Sequence, residues 1–96
     1  YTLGEITIGA NSVVSQKCYL CTGSHDFMSQ HFDITASPIV IGEKCWLATD
    51  VFVAPGVSVG DGTVVGARSS VFKSLPANKI CRGNPAVVIR ERVETD

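Results

Sequence analysis

Aliphatic residues fall at every sixth position along most of this chain. They stand at Ile8, Val14 and Leu20, and again at Ile41, Leu47, Val53, Val59, Val65 and Val71. The residue after each is small in most units (Gly9, Ser15, Cys21, Gly42, Ala48, Ala54, Gly60, Gly66), and Phe72 breaks that rule. Four positions after each aliphatic sits another compact side chain: Ser12, Cys18, Cys45, Val51, Val57, Thr63 and Ser69. A strict period of six matches neither the helical period nor the alternation of a half-exposed strand. Sandwiches and barrels, with their variable turns, do not keep it either. It predicts an all-β solenoid, a parallel β-helix built on a hexapeptide repeat. Triplets such as "IVI", "VFV", "VSV" and "TVV" are rich in β-branched residues, which favour extended backbone. Short Gly, Ala, Asp, Asn or Lys segments turn the corners between them. One aliphatic per unit then points inward and stacks on its equivalents in adjacent coils.

The pattern divides the single domain, 1–96, into a coil at 1–23, an excursion at 24–38, coils at 39–76 and a C-terminal segment at 77–96. That last segment turns polar after Ile89. The excursion carries the only two histidines of the chain, His25 and His31, with Asp26, Met28, Phe32 and Asp33. Long interruptions of compact domains are functional or disordered, and this one sets polar chemistry beside an apolar patch. On spacing alone, His25 reads first as a solvated loop histidine without a role and only second as a general base. A neutral imidazole, with a pKa of about 6.5, can take the proton from a hydroxyl that attacks an acyl group.

Composition narrows the classes. Hydrophobic residues make up 45% and charged residues 18%, with a net charge of −1. Nothing there attracts nucleic acid or an acidic membrane surface. So few charges leave apolar surface for other subunits to cover. No apolar run is long enough to cross a bilayer. The opening "YTLGEITIG" has no leader character and no initiator Met, and is read as an N-terminal truncation. Cys18 and Cys21 are in C-x-x-C spacing, but Cys45 and Cys81 supply no second pair. The four read as small buried hydrophobes of a cytoplasmic protein rather than as a zinc site.

Positive charge gathers late: Arg68, Lys73, Lys79, Arg82, Arg90 and Arg92, six of the eight Lys and Arg residues. That cluster is either a solvated rim or a phosphate-binding end.

Several separate motifs carry a resemblance. The T-G-x-H turn of "CTGSHD", the P-I-x-I-G-x-x-x-W restart at Pro38–Trp46, the A-P-G-V coil at Ala54–Val57 and the closing G-N-P-A-x-x-I-R at Gly83–Arg90 are similar to the hexapeptide-repeat O-acetyltransferases. That group includes the galactoside and maltose acetyltransferases, and the resemblance is nearest to its colanic acid biosynthesis branch, which serves exopolysaccharide assembly. It implies a left-handed β-helix with three hexapeptides per coil, making 41–58 and 59–76 two full coils. It implies a homotrimer with acetyl-CoA in the groove between neighbouring prisms, a sugar hydroxyl as acceptor and no metal. By the same resemblance His25, of the T-G-x-H turn, is the catalytic base. Thr49 and Ala67 stand where the backbone meets the pantetheine arm, and Lys73 and Arg90 where side chains reach the nucleotide phosphates. Trp46 lines the acceptor pocket near His25, or else packs. His31 matches no catalytic position, and Asp26 is a weaker candidate for orienting His25. Two departures stand out. Ala48 replaces a frequent Gly, and Val87–Val88 fill a place where a basic residue is frequent.

Two rival readings remain. A metal-dependent carbonic anhydrase of similar fold needs three histidine ligands, and this chain has two. A trimeric β-helix module without catalysis, or an inactive fragment of an enzyme, stays open on sequence alone.

Overall fold

The computed structural model describes residues 4–25, 30 and 34–93. The first coil supplies β1 (Ile6–Ile8), β2 (Val13–Val14) and β3 (Tyr19–Leu20). A hairpin follows, β4 (Gly23–His25) and β5 (Ile34–Ala36). The second coil is β6 (Ile39–Ile41), β7 (Trp46–Leu47) and β8 (Phe52–Val53). The third is β9 (Ser58–Val59), β10 (Val64–Val65) and β11 (Ser70–Val71). Two longer strands close the chain, β12 (Lys79–Gly83) and β13 (Ala86–Glu91).

Successive strands go to successive faces, so three parallel sheets enclose one core: β1-β6-β9, β2-β7-β10-β12 and β3-β8-β11. The register puts each inward aliphatic on its equivalent. Ile8 lies opposite Ile41 and Ile41 opposite Val59; Val14, Leu47 and Val65 form a second stack, and Leu20, Val53 and Val71 a third. Parallel sheets of this kind bury their aliphatics in contiguous columns. Ile39, Ile41, Leu47, Val53, Val59, Val65 and Val71 are at most 2% exposed. Ile6 and Ile8, at the open end of the first coil, are each 45% exposed, because no coil covers them here.

Two devices hold the corners. The third residue after each inward aliphatic adopts positive φ at Asn11, Lys17, Lys44, Asp50, Gly56, Gly62, Arg68 and Asn78. That conformation is strained for a side chain as large as Lys or Arg. Neighbouring backbone compensates: Lys44, Asp50, Gly62, Arg68 and Asn78 each donate their N–H to a corner carbonyl of the preceding coil at 2.7–3.1 Å. Inside the corners, the compact side chains are hydrogen-bonding posts. The Ser12 hydroxyl donates to the Gly42 carbonyl (2.6 Å) and accepts the Cys45 N–H (2.9 Å). Two coils on, the Thr63 hydroxyl donates to the Pro76 carbonyl (2.5 Å) and accepts the Lys79 N–H (3.2 Å). Thr63, fully buried, is thus satisfied twice.

The six-residue count stops at Val71, yet the solenoid does not. Leu75 bridges to Val59 and Cys81 stacks on Val65, each sixteen residues on rather than eighteen. A further turn of the prism therefore begins at Leu75, inside the span expected for the last full coil, because the step from Val71 to Leu75 is four residues rather than six. The chain then folds back as β13, antiparallel to β12. Arg92 fastens this return, its guanidinium Nη1 donating to the carbonyls of Lys44 (2.8 Å) and Gly62 (2.9 Å). Phe72, the misfit of the repeat, joins an outer row of aromatics with Phe52 and Tyr19, neighbouring rings 5.8 Å apart. Contact with Phe52 is the physical reason a large residue is tolerated at that corner.

The excursion is no featureless loop. Gly23, Ser24 and His25 pair antiparallel with Ala36, Thr35 and Ile34, so its two arms leave the prism as a ladder.

Candidate active site

The edge between the second and third sheets is built from Ala48–Asp50 in one coil and Gly66–Arg68 in the next. Ala48 donates its N–H to the Val65 carbonyl (3.0 Å) and Gly66 to Cys81 (2.8 Å), while Arg68 donates to Thr49 (2.9 Å). The N–H groups of Thr49 and Ala67 donate to no acceptor among the described residues. Ala67 is exposed and Thr49 half-buried. This edge therefore offers peptide groups to an extended molecule lying along the prism. From the first coil it is braced at Gln16, whose carbonyl accepts both the Asp50 N–H (3.1 Å) and the Thr49 hydroxyl (2.9 Å).

Trp46 stands beside this edge on the outer side of β7, 50% exposed, between Val13 of β2 and Val64 of β10 in register. Its indole N–H donates to the Ser15 hydroxyl at 3.1 Å. Nothing in the repeat points to Ser15 as more than a small corner residue. Only the pairing of the first coil with the second brings it to Trp46.

The late cations separate into two groups. Lys79 is ion-paired with Glu91, and Arg92 is committed to the Lys44 and Gly62 carbonyls. Arg68, Lys73, Arg82 and Arg90 are exposed, and none pairs with a carboxylate among the described residues. Lys73 follows β11, and Arg90 lies on β13 opposite Ile80. Both belong to the last part of the prism.

His25 closes β4, its backbone opposite Ile34. The hairpin leaves between β3 and β6, at the edge shared by the third and first sheets. Trp46 is on the second sheet, the face opposite that edge. One chain thus brings together Trp46, Thr49 and Ala67, but it sets His25 on the other side. Asp26, Met28, His31, Phe32 and Asp33 lie outside the described residues.

Among the described residues, two side chains have displaced acidities, and neither is in this site. Burial pushes the Cys81 thiol up, against a smaller opposing pull from Lys79. The Tyr19 hydroxyl is also raised, chiefly through its hydrogen bond with Cys21. All four thiols are free. Among the described residues, no three of His, Cys, Asp or Glu gather as a ligand set for a metal ion.

Residues 38–73 match the family model described as bacterial transferase hexapeptide (six repeats). Over all 96 residues the chain is 86% identical to the protein named as colanic acid biosynthesis acetyltransferase WcaF of Escherichia coli K12, covering 53% of it. The chain belongs to the hexapeptide-repeat transferase family. Two solved structures of this family overlay closely. A maltose O-acetyltransferase from Clostridium difficile 630 has a TM-score of 0.86 at 32% identity, over 93% of this chain and 49% of that one. A galactoside acetyltransferase in complex with coenzyme A also has a TM-score of 0.86, at 34% identity, over 92% of this chain and 46% of that one. The three-faced solenoid is the left-handed β-helix of these hexapeptide-repeat acetyltransferases, and the chain spans about half the length of each of the three.

Proposed function

We propose that the whole protein is an acetyl-CoA-dependent O-acetyltransferase acting on a sugar hydroxyl of an exopolysaccharide or related saccharide. The observation that carries this reading is the edge at Thr49 and Ala67. It leaves peptide N–H groups without an acceptor among the described residues, along a fold whose likeness includes a galactoside acetyltransferase with coenzyme A bound. The pantetheine arm lies along that edge, and Lys73 and Arg90 hold the phosphates at the far end of the prism. Arginine meets phosphate by paired N–H bonds and lysine as a mobile point charge.

His25 is the general base. It takes the proton of the sugar hydroxyl as the oxygen attacks the thioester carbonyl, and peptide N–H groups steady the developing oxyanion. The C–S bond then breaks, and the imidazolium returns the proton to the departing CoA sulfur. No enzyme nucleophile and no metal takes part.

The topology also supports a shared site. His25 leaves one edge of the prism while Trp46, Thr49 and Ala67 lie across from it, so a complete site takes its base from one copy and its donor edge from the next. Three copies close such a ring as a homotrimer. We place the reaction in the cytoplasm, where the CoA donor is available.

Acetyl transfer is measured on the full-length protein with acetyl-CoA and a set of acceptor sugars, beside its His25→Ala variant. General-base removal lowers the rate by roughly 10²–10⁴-fold. Equal rates in the two proteins would remove His25 from catalysis. Absence of transfer to any sugar would favour a non-catalytic assembly module.

A further inference from the structure

Trp46 is an unusual residue for the outside of a solenoid. It is the only tryptophan of the chain and is half-exposed, yet its indole N–H is engaged. An indole has one hydrogen-bond donor and no acceptor, and here that donor goes to Ser15 Oγ at 3.1 Å. Ser15 is itself fixed. Its own N–H donates to the Leu47 carbonyl at 2.9 Å, and the next residue, Gln16, accepts from Asp50 and from the Thr49 hydroxyl. The anchor is therefore tied at two points to the coil that carries Trp46 and the donor edge.

An exposed aromatic side chain without such a tie samples several rotamers. A hydrogen bond at an exposed site adds little to stability, and a tryptophan kept for the core would be buried. What the bond does achieve is a single orientation, with a flat apolar face held open to solvent beside Thr49. A sugar ring presents C–H groups on its faces and hydroxyls round its rim. A fixed indole receives one of those faces and leaves the rim hydroxyls free to be placed.

We propose that Ser15 is a positioning residue: it pins the indole of Trp46 as a stacking platform for the acceptor sugar. The proposal rests on the acetyltransferase reading. It assigns Ser15 an effect on the acceptor and none on the donor.

The test compares the full-length protein with Ser15→Ala and Ser15→Thr. Because the described chain has a single tryptophan, acrylamide quenching and anisotropy of Trp46 report the indole directly, recorded in a background where any further tryptophan of the full-length protein is replaced by phenylalanine. Transfer is followed with acetyl-CoA and p-nitrophenyl β-galactoside, an acceptor chosen from the named activity of the galactoside relative. Ser15→Ala is expected to raise indole quenching and lower anisotropy. It is also expected to raise the acceptor KM about fivefold, the worth of one lost hydrogen bond, with the acetyl-CoA KM and melting temperature unchanged. Ser15→Thr keeps the hydroxyl and is expected to restore both readouts. Unchanged quenching in Ser15→Ala, or a shift in the acetyl-CoA KM in place of the acceptor KM, overturns the proposal. So does a failure of Ser15→Thr to rescue. A parent protein that transfers acetyl to no sugar sinks the acetyltransferase reading and this role with it. An active parent with an unchanged acceptor KM in Ser15→Ala sinks this role alone.

Discussion

Replacing Thr63 by valine keeps the shape of a fully buried corner residue and deletes its hydroxyl. In the structure that hydroxyl donates to the Pro76 carbonyl at 2.5 Å and accepts the Lys79 N–H at 3.2 Å. The Pro76 carbonyl, on an exposed residue, can turn to water. The Lys79 N–H, beneath a half-buried corner, is left without a partner. One orphaned backbone group and the loss of a second bond cost about 2–3 kcal/mol together. Thr63→Ser is the control, since it keeps both bonds and removes one buried methyl, at about 1 kcal/mol. In a domain of this size, thermal melts followed by circular dichroism should fall by roughly 10–20 °C for valine and about 5 °C for serine. The order of the two variants carries the inference. If valine melts at or above serine, the corner column is held by packing alone and its hydrogen bonds are incidental.

Three further outcomes follow from the same structure. Gly42→Ala places a Cβ 2.8 Å from the Asp61 backbone nitrogen, so the adjacent coil must shift, and chemical denaturation should show a loss of about 1–3 kcal/mol. The raised thiol of Cys81 sets an alkaline limit. Its folded pKa lies above the ordinary 9.0, so its contribution is complete below that pH and is lost as pH rises through the raised value. Denaturation series from pH 8 upward should show this contribution constant below 9.0 and stability falling above it, with a shallower fall in Cys81→Ala. Lys73→Gln should raise the acetyl-CoA KM about tenfold, and less so at high salt, as a lost charge-assisted phosphate contact does. Lys79→Gln, which removes a cation already paired with Glu91, should leave that KM unchanged.

The scaffold was legible in the sequence because its physics repeats. Each aliphatic from Ile41 to Val71 meets the same requirement, to fill the interior above and below its equivalents, so the requirement is printed at every sixth position. Where the requirement changes, the print fades. Leu75 and Cys81 extend the stacks after a two-residue contraction, which a fixed count of six passes over. The pairing of Gly23–His25 with Ile34–Ala36 is only three residues long and shows no alternation to announce it. The roles of the late cations were equally invisible. Arg92 and Arg90 differ by two positions, yet one is bound to two carbonyls and the other is unpaired among the described residues, a distinction made by the fold of β13 over β12. The candidate site was visible as motifs but not as an arrangement. Spacing could not tell that His25 and Trp46 fall on opposite sides of one prism, nor that Ser15 reaches the indole from the preceding coil.

The division of the site between copies is the central claim, and mixed oligomers test it most directly. His25→Ala removes the base, and Ala67→Trp fills the donor edge at an exposed position, so each full-length variant alone should lack transfer activity. Co-expressed in equal amounts, they form rings in which an intact His25 of one copy meets an intact Ala67 edge of the next. Random assembly of a cyclic trimer should restore about a quarter of the parent rate. Mixed oligomers that form but remain as inactive as either variant would contradict the shared site.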